Sequence, residues 1–276
     1  MTFLSIIKKR KLVEEYEKKE PSSDEIKIFE EFLKEIKTLL ENIGIKFVFI
    51  ENGWGKENIF KNRVSHMGNL ILAPSYIALF SEIKEGYLLN TAYILEQVIL
   101  KAVELNIGSC WLLVEKDADG LKRDLEIDVQ KELVAMIALG YPKMHVHYTD
   151  RGESSRISMH DFIFKDEWGK TICYEELKTM GTGKALHNLR LAPSWTNLQP
   201  WRLIIHNDQV ILTVGGKDIS RKYLLLDAGV MMLYMEKFFK EASFSARWSI
   251  YKEELDGDFS EYSIPSEYRI IGTLHI

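Results

Sequence analysis

Between Leu191 and Trp201 the chain gathers Pro193, Ser194, Trp195, Thr196, Asn197, Gln199, Pro200 and Trp201. Prolines fix φ and remove donors, so this composition disfavours helix or strand and predicts a rigid loop running into the apolar strand Arg202-Leu203-Ile204-Ile205. On a frame stiffened by Pro193 and Pro200, the side chains of Ser194, Thr196, Asn197 and Gln199 offer the donors and acceptors that a planar polar heterocycle needs. The same residues also suit structural duty, with a serine or asparagine capping a helix end and tryptophans filling core. Both readings stand on these residues alone.

Other chemistry finds less support. Gly181-Thr182-Gly183-Lys184 has no apolar strand before it, and Ala185 follows the lysine where a phosphate loop carries Ser or Thr. The seven histidines form no HExxH, and His145 with His147 stands alone in a polar stretch, so no metal site is expected. No GxSxG elbow exists for nucleophilic hydrolysis. The two cysteines, Cys110 and Cys173, make no CxxC pair and read as free buried thiols, the alternative being one disulfide. No catalytic acid, base or nucleophile from the chain is expected.

Composition narrows the class. A chain of 276 residues that is 46% hydrophobic can bury a sizeable core. Its 36 basic and 41 acidic residues are well mixed, for a net charge of -5, so nucleic acid is not an expected partner. No apolar run reaches the roughly 18 to 20 residues of a membrane span, and Lys8-Lys9-Arg10-Lys11 is followed by acids rather than a signal core. A cytoplasmic protein is expected.

The elements that must position the loop follow from periodicity. The charge run Lys8 to Tyr16 reads as a solvated helix face. Ser22 and Glu25 have capping-box spacing ahead of a helix of about four turns carrying Ile26, Phe29, Phe32, Leu33 and Ile36. Strands are expected over 45–50, 76–80, 110–114 and 133–139, and the last two read as buried on both faces. Asn52-Gly53 reads as a turn, and 87–105 as a buried central helix. Residues 143–155 are polar and read as a linker or lid. Beyond them, 174–180 and 184–189 read as helical, and 201–206 with 210–214 as a hairpin turning at Asn207-Asp208.

Tyr223-Leu224-Leu225-Leu226-Asp227-Ala228 repeats the texture of Tyr87-Leu88-Leu89-Asn90-Thr91-Ala92. Each run follows a strand and reaches a tryptophan strand, at Trp111 and Trp248. This is the pattern of an internal duplication, the alternative being two ordinary buried helices. Duplicated halves would most simply pack helix against helix, as dimer subunits do.

With these residues assembled, the chain resembles the flavin-dependent nitroreductases, which carry a basic "RRSxR" start, an "APSxxNxQPW" loop, a long interface helix, a "GIGSCW" turn, a "GYP" and a later arginine. Here Ala192 to Trp201 matches the loop, Gly108 to Trp111 the turn, and Gly140-Tyr141-Pro142 the "GYP", while Arg156 stands where the arginine tail should be. The resemblance implies an α+β, nitroreductase-like fold of mixed β-sheets flanked by helices, its two halves forming an intrachain pseudo-dimer. The first half (1–165) would carry the basic start and arginine tail, and the second, truncated half (166–276) the loop. The chain would then be a monomer keeping one composite flavin site.

Carried over residue by residue, Arg10, Lys11 and Arg156 would meet the phosphate or pyrimidine carbonyls of FMN. Ser194, Asn197 and Gln199 would face the ring from the other half, and Leu113 and Val114 would offer main chain to its N5 edge. The activity implied is an FMN-dependent NAD(P)H oxidoreductase using NADH or NADPH to reduce a nitroaromatic or quinone, a small-molecule electron acceptor, with the flavin carrying the chemistry. Trp195 and Trp201 would flank the pocket or fill core. Leu12 and Glu14 replace the family's serine and last arginine, removing a donor and a positive charge unless Lys8 or Lys9 substitutes. The alternative is therefore a non-catalytic or weakly flavin-binding descendant acting as a ligand-binding protein.

Overall fold

Ser22 and Glu25 form the reciprocal cap that their spacing predicts: Ser22 Oγ accepts from Glu25 N–H at 3.3 Å, and Glu25 Oε2 accepts from Ser22 N–H at 2.7 Å. They open a helix over Ser23–Lys34 in the computed structural model of the chain, which describes residues 1–143, 155–251 and 262–276. The expected linker at 143–155, with His145 and His147, lies outside the described residues except at its ends.

Two units, Met1–Asp150 and Arg151–Ile276, divide the chain. The division comes earlier than the 165/166 boundary expected. The strand Ile163–Lys165 explains this, because it pairs in parallel with Leu203 to Ile205 and so belongs to the second sheet.

The first unit runs α1 (Phe3–Lys9), α2 (Ser23–Lys34), β1 (Ile45–Ile50), α3 (Glu57–Phe60), β2 (Val64–Ser65), β3 (Ser75–Ser81), α4 (Tyr87–Glu104), β4 (Gly108–Val114), α5 (Ala118–Asp124) and β5 (Glu132–Gly140). Its strands lie in the order β1-β3-β5-β4-β2, each pair antiparallel. Aromatic and aliphatic side chains of alternate strand positions, among them Tyr76, Phe80, Leu112 and Met136, fill one face with Phe60 and Tyr16.

The charge run departs from expectation. The helix stops at Lys9, and the chain continues extended, with Leu12 bridging Ser109 in parallel and Tyr16 bridging Pro142. Backbone pairing decides this: Val13 N–H donates to Ser109 O at 3.2 Å. The approach is helped by two glycines, since a Cβ at Gly108 would stand 2.8 Å from Val13 Cγ2, and one at Gly140 would stand 2.6 Å from the Pro74 ring and 3.0 Å from Tyr16 Cδ1. Both motif glycines thus admit the N-terminal segment to the sheet.

The second unit runs α6 (Met159–Phe162), β6 (Ile163–Lys165), α7 (Tyr174–Thr179), α8 (Gly183–Leu189), β7 (Trp201–His206), β8 (Gln209–Gly215), α9 (Arg221–Glu241), β9 (Arg247–Ile250) and β10 (Tyr268–His275). Its sheet is ordered β6-β7-β8-β10-β9, with β6 parallel and the rest antiparallel.

Matching β1, β3, α4, β4 and β5 to β7, β8, α9, β9 and β10 carries the order β1-β3-β5-β4 onto β7-β8-β10-β9 with every pair antiparallel. A shared helix-and-strand texture would not by itself reproduce this crossing order, so the duplication extends to topology. Among the described residues no helix is long and apolar enough to cross a membrane.

Candidate functional site

The Pro193–Pro200 loop follows α8 and precedes β7, the position its composition indicates. It contains one 3-10 turn, Trp195–Asn197, and three non-glycine residues with left-handed backbone: Thr196 (φ 49°), Asn197 (φ 63°) and Gln199 (φ 49°). For β-branched Thr196 that conformation is a genuine outlier, and each such residue stores on the order of 1 kcal/mol or more. Surrounding contacts must hold it.

The 155–157 segment supplies them through the neighbouring Asn197 and Gln199. Arg156 Nη1 donates to Ala192 O at 2.9 Å and to Asn197 Oδ1 at 3.1 Å. Asn197 Nδ2 and Gln199 Nε2 both donate to Ser155 O, at 3.2 and 3.0 Å. Gln199 Oε1 accepts from Ile157 N–H at 2.8 Å, and Ser194 Oγ accepts from Gln199 N–H at 2.9 Å. Arg190 Nε, one residue past α8, fixes Ile157 O at 2.6 Å. The loop is cross-braced rather than capping a helix.

The structure brings Arg156, Ser194, Asn197 and Gln199 together within the second unit. Arg156 was expected to act from the first half. The correction has a plain cause, because its guanidinium finds two acceptors on the loop itself. Trp201 is core, with no exposed surface.

The other expected residues belong to the first unit. Arg10 meets Glu96 of α4, with Nε 2.8 Å from Oε1 and Nη2 3.3 Å from Oε2. Trp111 Nε1 donates to the same carboxylate at 3.3 Å. A fully buried carboxylate requires such a partner, so Arg10 has a structural task that its phosphate reading did not include. Lys11 is exposed. Leu113 and Val114 lie inside the sheet rather than at a free edge, with Ser65 and Val64 opposite on one side and Ala135 opposite Leu113 on the other.

Two residues without a sequence-derived role join the loop. Trp195 stacks on Tyr223 of α9, with ring centroids 4.6 Å apart and planes inclined by 12°. Its backbone N–H donates to Asp227 Oδ1 at 2.9 Å, while Asp227 Oδ2 is buried with no hydrogen-bond partner among the described residues. Burial pushes the Asp227 carboxyl up to about 7, against the opposing pull of the Trp195 N–H. A lone acid within Leu224-Leu225-Leu226-Asp227-Ala228-Gly229-Val230 is the signal that could have marked it.

Of the thiols, Cys110 is buried, and burial pushes it up, whereas Cys173 is exposed, contrary to expectation. Among the described residues no cluster of His, Cys, Asp or Glu could hold a metal ion.

Residues 2–237 match a protein family described as "Putative TM nitroreductase". The chain belongs to this family. A nitroreductase structure from Thermotoga maritima, itself described as putative, aligns over 100% of this chain and 94% of its own at 16% identity, with a TM-score of 0.62. An FMN-dependent nitroreductase from Clostridium difficile aligns over 58% of this chain and all of its own at 16% identity, with a TM-score of 0.46. A nitroreductase with bound FMN from Bacteroides fragilis aligns over 55% of this chain and 95% of its own at 19% identity, with a TM-score of 0.41. No protein of curated function matches the chain.

The nitroreductase fold places a braced loop of amide, hydroxyl and guanidinium groups directly before the hairpin β7–β8. Residue types of this kind suit the carbonyls and ring nitrogens of a flavin, and Arg156 Nη1 and the side-chain amides of Asn197 and Gln199 already bond within the brace. The guanidinium of Arg10 already faces Glu96, and Lys8, Lys9 and Lys11 beside it are exposed.

Proposed function

We propose that this nitroreductase-family chain is an FMN-dependent NAD(P)H oxidoreductase that reduces nitroaromatic or quinone acceptors. The observation that carries the reading is the Arg156–Asn197–Ser155–Gln199 brace, which fastens two left-handed non-glycine residues, Asn197 and Gln199, on the loop whose composition matches the family's flavin loop. Stored strain of this kind persists where a site is over-determined.

FMN would supply electron transfer between the nicotinamide and the acceptor. The protein's tasks are binding and orientation. Ser194, Asn197, Gln199 and Arg156 orient the ring through its polar edge. Lys11, with Lys8 and Lys9, receives the phosphate, and Arg10 acts with them to the extent that its pairing with Glu96 allows. Leu113 and Val114 contribute main chain. One such site per chain, a monomeric state and a cytoplasmic location complete the proposal.

Visible absorbance of the purified protein tests it directly. Bound flavin that bleaches on addition of NADH or NADPH, and recovers with a quinone, is the expected result. A protein that takes up no added FMN would sink the proposal. The Arg10–Glu96 pair, with Leu12 and Glu14 beside it, favours a second reading in which flavin binds weakly and without turnover. FMN uptake without bleaching by either nicotinamide selects that reading.

A further inference from the structure

The Asp227 carboxyl is one of the few ionisable groups buried among the described residues of the second unit, and among those residues only its Oδ1 finds a hydrogen-bond partner. Position makes it consequential. It lies on α9 beyond the Pro193–Pro200 loop and accepts the backbone N–H of Trp195, the first residue of the 3-10 turn whose next two residues are left-handed. One turn back along the same helix, Tyr223 stacks on the Trp195 ring. Backbone and ring of one loop residue are therefore both held by α9.

We propose that Asp227 is a positioning residue for this loop: its carboxyl grips the loop through Trp195 N–H, and proton uptake at the buried Oδ2 loosens that grip. A hydrogen bond to a carboxylate is roughly twice as strong as one to a neutral acceptor, so the ionised form holds the turn tightly and the acid form weakly. Asn197 and Gln199, on either side of Leu198, follow the turn. The consequence for FMN rests on the function proposed above, while the grip itself does not.

The charged and titratable surroundings are sparse. The elements packed on α9 carry Lys184 and His187 on α8 and Tyr268, Arg269 and His275 on β10, while β8 carries none. Tyr223 stands on α9 itself, and Arg156 braces the loop from its other side. Among the described residues none of these groups hydrogen-bonds Oδ2. Removal from water and the Trp195 N–H therefore set the carboxyl's proton affinity.

Protein labelled with 15N-tryptophan reads the grip without any flavin, since only six tryptophans contribute backbone amide signals. Trp195→Phe identifies the relevant signal by its disappearance. In the wild type the Trp195 amide proton is expected to move to higher field as pH falls, with a midpoint near the value of about 7 given by burial. In Asp227→Asn, which keeps the acceptor and removes the proton, it is expected to stay fixed. A wild-type signal that does not move between roughly pH 5.5 and 8.5, or one that titrates unchanged in Asp227→Asn, overturns the proposal. The wild-type measurement decides even where the variant folds poorly.

FMN titrations at the same pH values separate the two readings. A titrating amide in a protein that takes up no FMN overturns the flavin function and leaves the grip standing. FMN uptake with a silent amide does the reverse. Where both hold, FMN affinity should change with pH in the wild type and be flat in Asp227→Asn.

Discussion

The two units repeat one strand-and-helix plan, yet they fasten the segment before their first strand differently. In the first unit Asn90 Oδ1 accepts from Leu39 and Leu40 N–H at 2.9 and 3.0 Å, and Gln97 Nε2 donates to Lys37 O at 2.8 Å. In the second, Asp227 Oδ1 accepts from Trp195 N–H at 2.9 Å. Both helices thus use a buried polar side chain near their start to hold that segment. The amide is neutral at every pH and the carboxyl is not, so a common scaffold carries one fixed fastening and one that titrates. Backbone conformation divides in the same way: none of residues 35–44 has positive φ, whereas the Pro193–Pro200 loop has three.

The largest expected effect follows from that titrating group. The Asp227 carboxyl is raised from 3.8 to about 7 in the folded protein, so the folded state binds the proton more tightly than the unfolded state. Its contribution to stability is fully present below about pH 4 and is lost as pH rises through about 7. Measured against Asp227→Asn by urea unfolding, the wild type should lose stability across this window, by no more than about 1.4 kcal/mol per pH unit, and then run parallel to the variant. A difference that is constant from acid to neutral pH would remove the distinction between the two fastenings.

Next in size is a contact that the second unit lacks. Glu96 of α4 stands where the repeat places Met232 in α9, and it is paired with Arg10. Arg10→Ala leaves a buried carboxylate without its guanidinium and should cost about 3 kcal/mol. Adding Glu96→Met, the residue of the other copy, should restore most of it. Equal denaturation midpoints for Arg10→Ala and wild type would show that the pair has no structural task and would return Arg10 to the phosphate.

These contacts mark where sequence reading reached its limit. The Ser22–Glu25 cap, the strand over Ile45–Ile50, the helix from Tyr87 and the rigid loop were legible because periodicity, capping and proline chemistry act over a few residues. The Arg10–Glu96 pair joins positions 86 residues apart, and Arg156 reaches Asn197 across 41, so neither has a local signature. The charge run before Tyr16 looked helical, but Ser109 O captures Val13 N–H and holds the chain extended. The strand β10 has no clear signature in the sequence because it alternates only partly and carries a bulge between Ile270 and Gly272.

A smaller effect should separate the brace from the fold. Gln199 is buried and joins Ile157, Ser155 and Asn197, so Gln199→Ala should cost about 2 kcal/mol, and Asn197→Ala about 1 kcal/mol. Both should also lower FMN retention on gel filtration. Retention equal to wild type in both variants would move the flavin away from this loop.

The smallest effect tests whether the loop's strain is a by-product or a device. Thr196 is held at φ 49° although it is β-branched, while the corresponding segment of the first unit has no such residue. Glycine takes this conformation without steric penalty but loses more entropy on folding, so Thr196→Gly should raise stability by no more than about 1 kcal/mol. Thr196 is exposed and reaches none of the brace, so Arg156, Ser155 and Ile157 still hold Asn197 and Gln199 in the variant. What the variant loses is stiffness between Trp195, fastened to α9, and Asn197, fastened to Ser155. If that stiffness sets how the amides are presented, melting temperature should rise slightly while FMN retention falls. A rise in both would make the strain incidental and would leave the Asp227 fastening, rather than backbone conformation, as the feature that distinguishes the second unit from the first.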